Sequence, residues 1–148
     1  MDAQDKKIAT DLAYEIIREV GRAIRPYVGK PESGEKVKMG ADGTPTSFID
    51  IIAEEKVINI LKNAPVLSYI VSEEIGELKL GKGTKRSIIL TQELRRDDFD
   101  EEERPKFIFL VDPIDGTSNA IKEIPAYGIS IAVASVPEGR LATLNDVE

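Results

Sequence analysis

Apolar side chains recur every fourth position near the start of the chain, at Ile8, Leu12, Ile16, Val20 and Ile24, with Ala9, Ala13 and Ile17 widening the stripe. Asp11, Glu15, Arg18, Glu19 and Arg22 occupy the other face, so the spacing predicts an amphipathic helix from about Ala3 to Ile24, ended by Pro26 and Gly29. The stretch from Gly29 to Gly43 has no period and contains Pro31, Ser33, Gly34, Gly40 and Gly43 around Lys36 and Lys38; it reads as a mobile loop. A second helix is expected to start near Thr46 or Ser47, just after Pro45, and to run to about Lys62. Ile49, Ala53, Val57 and Ile60 line its inner face, with Asp50 in its first turn and Glu54 one turn later. Val66 to Val71 reads as a short buried strand ending at Ser72-Glu73-Glu74, and Leu78, Leu80, the glycines 81 and 83 and Ile88 to Leu90 suggest a hairpin. Arg95 to Lys106 is almost wholly charged, as a solvated loop would be. Phe107 to Val111 should be a central strand. Tyr127 to Val136 should be another, with Tyr127, Ile129, Ile131 and Val133 on one face and the small residues Gly128, Ser130, Ala132 and Ala134 on the other. Helices and strands in this order predict an α+β layered domain.

Composition narrows the chemistry sharply. The 148 residues are 41% hydrophobic, enough for one domain with a core, but include no histidine, cysteine or tryptophan. Imidazole bases, thiolate nucleophiles, thiolate metal sites and disulfides are thereby excluded. Catalysis would rest on carboxylates, hydroxyls, lysines and water, and a bound metal would have oxygen ligands only, which suits magnesium, manganese or calcium. The formal charge of −7 argues against a broad nucleic-acid binder. No apolar run approaches a bilayer-spanning length, the first residues are polar, and the lack of cysteine agrees with a reducing compartment. A soluble cytoplasmic protein without membrane or nucleic-acid partners is expected.

The sharpest segment is Asp112-Pro113-Ile114-Asp115-Gly116-Thr117-Ser118-Asn119. Pro113 keeps Asp112 extended at the strand end, and Asp115 follows in the turn where two carboxylates can converge on a cation. Gly116 permits close backbone approach, and Thr117 and Ser118 can open a short helix whose free N–H groups suit a phosphate. Glu73 and Glu74 form a second acid pair just past an apolar strand. If the two strands end at one rim, the crowded carboxylates call for a divalent cation; if not, the pair is a solvated strand end. Asp50 fits two roles, a first-turn acid or a member of the site, and Thr46 fits a helix cap. Gly81-Lys82-Gly83-Thr84-Lys85 lacks the spacing of a phosphate loop and reads as a turn.

Together with Val71-Ser72-Glu73-Glu74, the Asp112–Asn119 octet resembles the inositol monophosphatase family of lithium-sensitive sugar phosphatases, related to fructose-1,6-bisphosphatases. The resemblance covers essentially the whole chain, and Gly40-Ala41-Asp42-Gly43-Thr44-Pro45-Thr46 looks most like archaeal members acting on fructose bisphosphate, inositol phosphate or NADP. It implies the layered sugar-phosphatase fold, here the N-terminal half of an α-β-α-β-α sandwich. It also implies Glu73, Asp112, Asp115 and the Ile114 carbonyl as metal ligands, with Glu74 as a supporting acid. Gly116 and Thr117 would give backbone donors to the phosphate, and Thr117 with Asp50 would handle the proton of the attacking water, so that Glu73, Thr117 and Asp50 form the catalytic set. A loop carrying Lys36 or Lys38 would close over the metals. The implied reaction is Mg2+-dependent hydrolysis of a small sugar or inositol phosphate by water, with Mn2+ as a substitute metal.

Three departures from the family pattern bear on function. Members are nearly twice as long, and their second half brings a further metal-binding aspartate in a tryptophan-containing motif; this chain has no tryptophan. Residues 1–148 are therefore expected to be the metal- and phosphate-binding half, working as a homodimer or with a complementing C-terminal half. A non-catalytic metal-binding half-domain is the rival expectation, and an NADP(H) phosphatase the alternative activity. The charged stretch before Phe107 is longer than usual, and Ala120 replaces an aromatic residue. A haloacid-dehalogenase-type aspartyl nucleophile fits less well, because two residues separate Asp112 from Asp115 where that chemistry uses one.

Overall fold

A computed structural model describes residues 1–40, 43–72, 74, 76–81 and 105–136. Helix α1 (Ala3–Ile24) is capped by Asp2, whose carboxylate accepts the Asp5 N–H at 2.7 Å, and it buries Ala9, Leu12, Ile16, Val20 and Ile24. Short 3-10 turns at Arg25–Tyr27 and Pro31–Gly34 follow. Strands β1 (Lys36–Met39) and β2 (Pro45–Ser47) then pair antiparallel, so the segment expected to be an aperiodic loop contains the first strand of a small hairpin. Its four β1 residues are all exposed, which explains why no buried apolar alternation marked it in the sequence. Helix α2 (Phe48–Asn63) buries Ile49, Ala53, Val57 and Leu61.

The main sheet contains β3 (Ser68–Ser72), β4 (Gly76–Leu80), β5 (Phe107–Asp115) and β6 (Gly128–Ser135) in the order β4-β3-β5-β6. β4 pairs antiparallel with β3, from Ser68 opposite Leu80 to Ser72 opposite Gly76. The second arm expected at Ile88–Leu90, the Gly83 turn and nearly all of the charged stretch lie outside the described residues.

Alternate residues of β5 (Phe107, Phe109 and Val111) are buried against one core that includes α1 and α2, while Leu110 on the other face is 42% exposed. The rings of Phe107 and Phe109 meet edge-on at 6.3 Å. Ile129, Ile131 and Val133 of β6 pack on the same core, as their alternation predicted, and Ala134 is buried on the opposite face. The described residues thus form an α+β arrangement of two helices over a mixed sheet, in which no helix is long and apolar enough to cross a membrane.

Candidate active site

Parallel pairing brings the two acidic segments together. β3 and β5 run side by side from Ser68 against Phe107 to Val71 against Leu110, so Ser72 at the end of β3, with Glu74 beyond it, lies at the same end of the sheet as Asp112. Within β5 the regular alternation breaks where Pro113 and Ile114 are buried in succession. Opposite them, Asp112 pairs with Ser130 and Asp115 with Gly128, so three steps along β5 match two along β6. This bulge supplies one extra residue. In an unbroken strand, residues three apart point to opposite faces; here Asp112 and Asp115 line one cleft. Asp115 therefore sits at the end of a bulged strand, where a free turn was expected.

The cleft, of about 250 Å³, is lined by Asp50, Ser72, Glu74 and the continuous run Asp112 to Thr117. The Ile114 N–H donates to Asp112 Oδ1 at 3.2 Å, a local bond that fixes the turn around Pro113. Gly116 has φ 87° and caps helix α3 (Thr117–Ile121). A Cβ there would stand 2.9 Å from the Ala126 carbonyl oxygen, so both conformation and space require glycine. The Thr117 hydroxyl lies 2.8 Å from Asp50 Oδ1 and 3.0 Å from the Ile114 carbonyl oxygen. It has one proton for two acceptors.

Asp50 is the third residue of α2 and forms a reciprocal capping box with Ser47, whose N–H donates to Asp50 Oδ2 at 3.3 Å. The cap is thus Ser47, and Thr46 instead donates its hydroxyl to Glu74 Oε2. Burial pushes the Asp50 carboxyl above its ordinary range; the Thr117 hydrogen bond opposes this and the Glu74 charge adds to it. Glu54, one turn on, is only 2% exposed, and its Oε2 accepts from Lys38 Nζ at 2.6 Å. Its carboxyl is also raised, by burial first, with Lys38 opposing and Glu74 and Asp50 adding. The candidate residues had not included Glu54. Its signal lay in the i, i+4 spacing from Asp50, on the face that Ala53 and Val57 identify as buried.

Of the expected site residues, Asp50, Glu74, Asp112, Ile114, Asp115, Gly116 and Thr117 share this cleft. Lys38 is engaged with Glu54 on strand β1, and Glu73 lies outside the described residues. Among the described residues no three carboxylates are drawn together closely enough to hold an ion. The donors that face the cleft are nonetheless all oxygens, and the buried acids beside it carry like charge, which is the chemistry a hard divalent cation satisfies. Ala120, which replaces the aromatic residue of the resembled pattern, is the buried residue of α3, and its carbonyl accepts the Gly29 N–H at 3.0 Å.

A cleft of acids at a strand bulge and a threonine–aspartate pair could arise in unrelated proteins. The family model for "Inositol monophosphatase family", however, matches residues 5–146. The chain belongs to the inositol monophosphatase family. It is 41% identical over 148 residues to a fructose-1,6-bisphosphatase/inositol-1-monophosphatase of Methanothermobacter thermautotrophicus, covering 99% of this chain and 46% of that protein. It is 42% identical over 125 residues to a bifunctional NADP phosphatase/NAD kinase of Methanocaldococcus jannaschii, covering 84% of this chain and 18% of that one. Among solved structures, a Pyrococcus horikoshii protein described as similar to inositol-1 monophosphatase superposes with a TM-score of 0.56 at 27% identity, covering 85% of this chain and 39% of that chain. The inositol monophosphatase fold is thus shared, while the chain spans less than half the length of the curated relatives it matches.

Proposed function

We propose that this chain carries the metal- and phosphate-binding half of a phosphomonoesterase that hydrolyses small sugar or inositol phosphates, with inositol 1-phosphate and fructose 1,6-bisphosphate as the leading substrates. The observation that carries this reading is the 2.8 Å hydrogen bond between Thr117 and Asp50, made in the same cleft that Asp112 and Asp115 line. With Asp50 ionised, the Thr117 proton is committed to it and the hydroxyl oxygen keeps lone pairs that can accept from a water. A proton can then pass from water to Thr117 Oγ as the hydroxyl proton passes to Asp50 Oδ1. The water oxygen forms its bond to phosphorus as the ester P–O bond breaks, and the leaving alkoxide regains a proton from solvent. A protonated Asp50 would reverse the chain of donors, giving its proton to Thr117 while Thr117 donates to Ile114. The raised Asp50 carboxyl makes it a stronger base than an exposed aspartate.

Asp112, Asp115 and the Ile114 carbonyl, with Glu73, would hold Mg2+ or Mn2+. A divalent ion there supplies Lewis acidity and charge neutralisation for a phosphoryl group. Glu74, held by Thr46, supports the acid rim, and the backbone N–H groups of Gly116 and Thr117 would receive phosphate oxygens. The remaining ligands and the contacts that choose a substrate would come from a complementing C-terminal half, in a cytoplasmic homodimer or hetero-assembly. The likeness to proteins named NADP phosphatase supports NADP as a third substrate to test.

The test is phosphate release from inositol 1-phosphate, fructose 1,6-bisphosphate and NADP, with and without Mg2+, beside an Asp115→Asn control. Mg2+-dependent release abolished by Asp115→Asn is the expected result, and the ranking of substrates assigns the activity. Divalent binding without turnover, lost in Asp115→Asn, would favour a half-site that needs a partner chain. Absence of any divalent binding would overturn the metal assignment.

A further inference from the structure

Strand β1 has its polarity inverted. Val37 and Met39 point outward, 57% and 63% exposed, while the alternate residues Lys36 and Lys38 reach Ser47 Oγ at 2.8 Å and Glu54 Oε2 at 2.6 Å. All four β1 residues are exposed, so apolar burial by β1 does not hold the β1–β2 hairpin to the body of the protein. What Lys38 grips is unusual. The Glu54 side chain is 3% exposed against 46% for Lys38, and Glu54 Oε1 has no hydrogen-bond partner among the described residues. A carboxylate in that position, between Ala53 and Val57 on the buried face of α2, is costly on its own account. Its presence therefore calls for a role outside the core.

We propose that Glu54 is a positioning residue of the active site, an inference that rests on the reading of the Asp50–Thr117 pair given above. Through Lys38, Glu54 pins the β1–β2 hairpin against α2. The hairpin's second strand delivers Thr46 to Glu74 and ends at Ser47, which caps the helix at Asp50. One ion pair thus links the strand that has no apolar anchor to two carboxylates of the cleft, Glu74 and Asp50. Lys36, bonded to Ser47, reinforces the same edge.

Amide hydrogen exchange on the purified chain tests this directly. Lys38→Met and Glu54→Gln are each expected to speed exchange of the Lys38, Gly40 and Thr46 amides by about tenfold or more, leaving the β5 amides at wild-type rates. The double variant should exchange no faster than the singles, because both remove one interaction. Lys38→Arg, which keeps a cation, should restore protection. If Glu54 merely stabilised its own helix, Glu54→Gln would loosen α2 generally, Lys38→Met would not mimic it, and Lys38→Arg would rescue nothing. Wild-type hairpin exchange in Lys38→Met, or additive effects in the double variant, would overturn the proposal. Since these readouts need no turnover, failure of the phosphatase reading would show separately, as absent Mg2+-dependent phosphate release from a chain whose hairpin responds as expected.

Discussion

Thr117 and Asp50 lie 67 residues apart in sequence and 2.8 Å apart in space. One stands in the first turn of α3 and the other in the first turn of α2, so the pair joins two helix starts across the cleft edge. Replacing Thr117 with valine keeps the shape and removes the hydroxyl. Phosphate release in the presence of Mg2+ should fall by about 10²- to 10⁴-fold, the usual worth of a positioned proton-transfer group. The far-UV circular dichroism spectrum should be unchanged. Turnover at the wild-type rate in Thr117→Val would remove the pair from the mechanism.

Asp50 also fixes the direction of a pH effect. Its folded carboxyl is raised above the ordinary 3.8 by burial, so it binds its proton more tightly folded than unfolded. Its contribution to stability is therefore most favourable at low pH and declines as pH rises from about 4 through the folded pKa. In metal-free buffer, the melting temperature of Asp50→Asn should gain on wild type across that interval. Melting curves that stay parallel across it would contradict the assignment.

The two cleft aspartates differ in setting, since Asp115 is exposed and Asp112 is half-buried. Asp112→Asn and Asp115→Asn are both expected to weaken Mg2+ or Mn2+ binding by on the order of 10- to 100-fold, read by isothermal titration calorimetry. Asp11→Asn, on the exposed face of α1 and paired with Lys7 at 2.6 Å, should leave affinity at the wild-type value.

Glycines at two positions should respond oppositely to alanine. Gly116→Ala meets both the positive φ and the Ala126 carbonyl, and should cost about 1–3 kcal/mol in urea unfolding together with phosphate release. Gly21 lies inside α1 with nothing within 4 Å of an added Cβ, so Gly21→Ala should stabilise by about 0.5–1 kcal/mol.

The legibility of this molecule in its sequence follows from how far each interaction reaches. Helix α1 was readable to its ends because four-residue periodicity and Pro26 are both local. The octet from Asp112 was readable as chemistry because its spacing is itself the signal. Two features were not. The β1–β2 hairpin buries no apolar residue on β1, so it lacks the alternation from which strands are recognised. The bulge that turns Asp112 and Asp115 to one side depends on the register with β6, which no short stretch of β5 encodes. The burial of Glu54 was half-visible. Its spacing placed it inward, but only Lys38, 16 residues away, explains how a carboxylate is tolerated there.

The parallel alignment of β3 with β5 also has a kinetic consequence. Antiparallel neighbours such as β3 and β4 can zip from a short turn, whereas Ser68 and Phe107 must find each other across the intervening chain before the shared rim exists. A refolding chain should thus regain its helices and the β3–β4 hairpin before it regains an ordered cleft. Chains caught early in refolding would look substantially structured and yet bind no ligand.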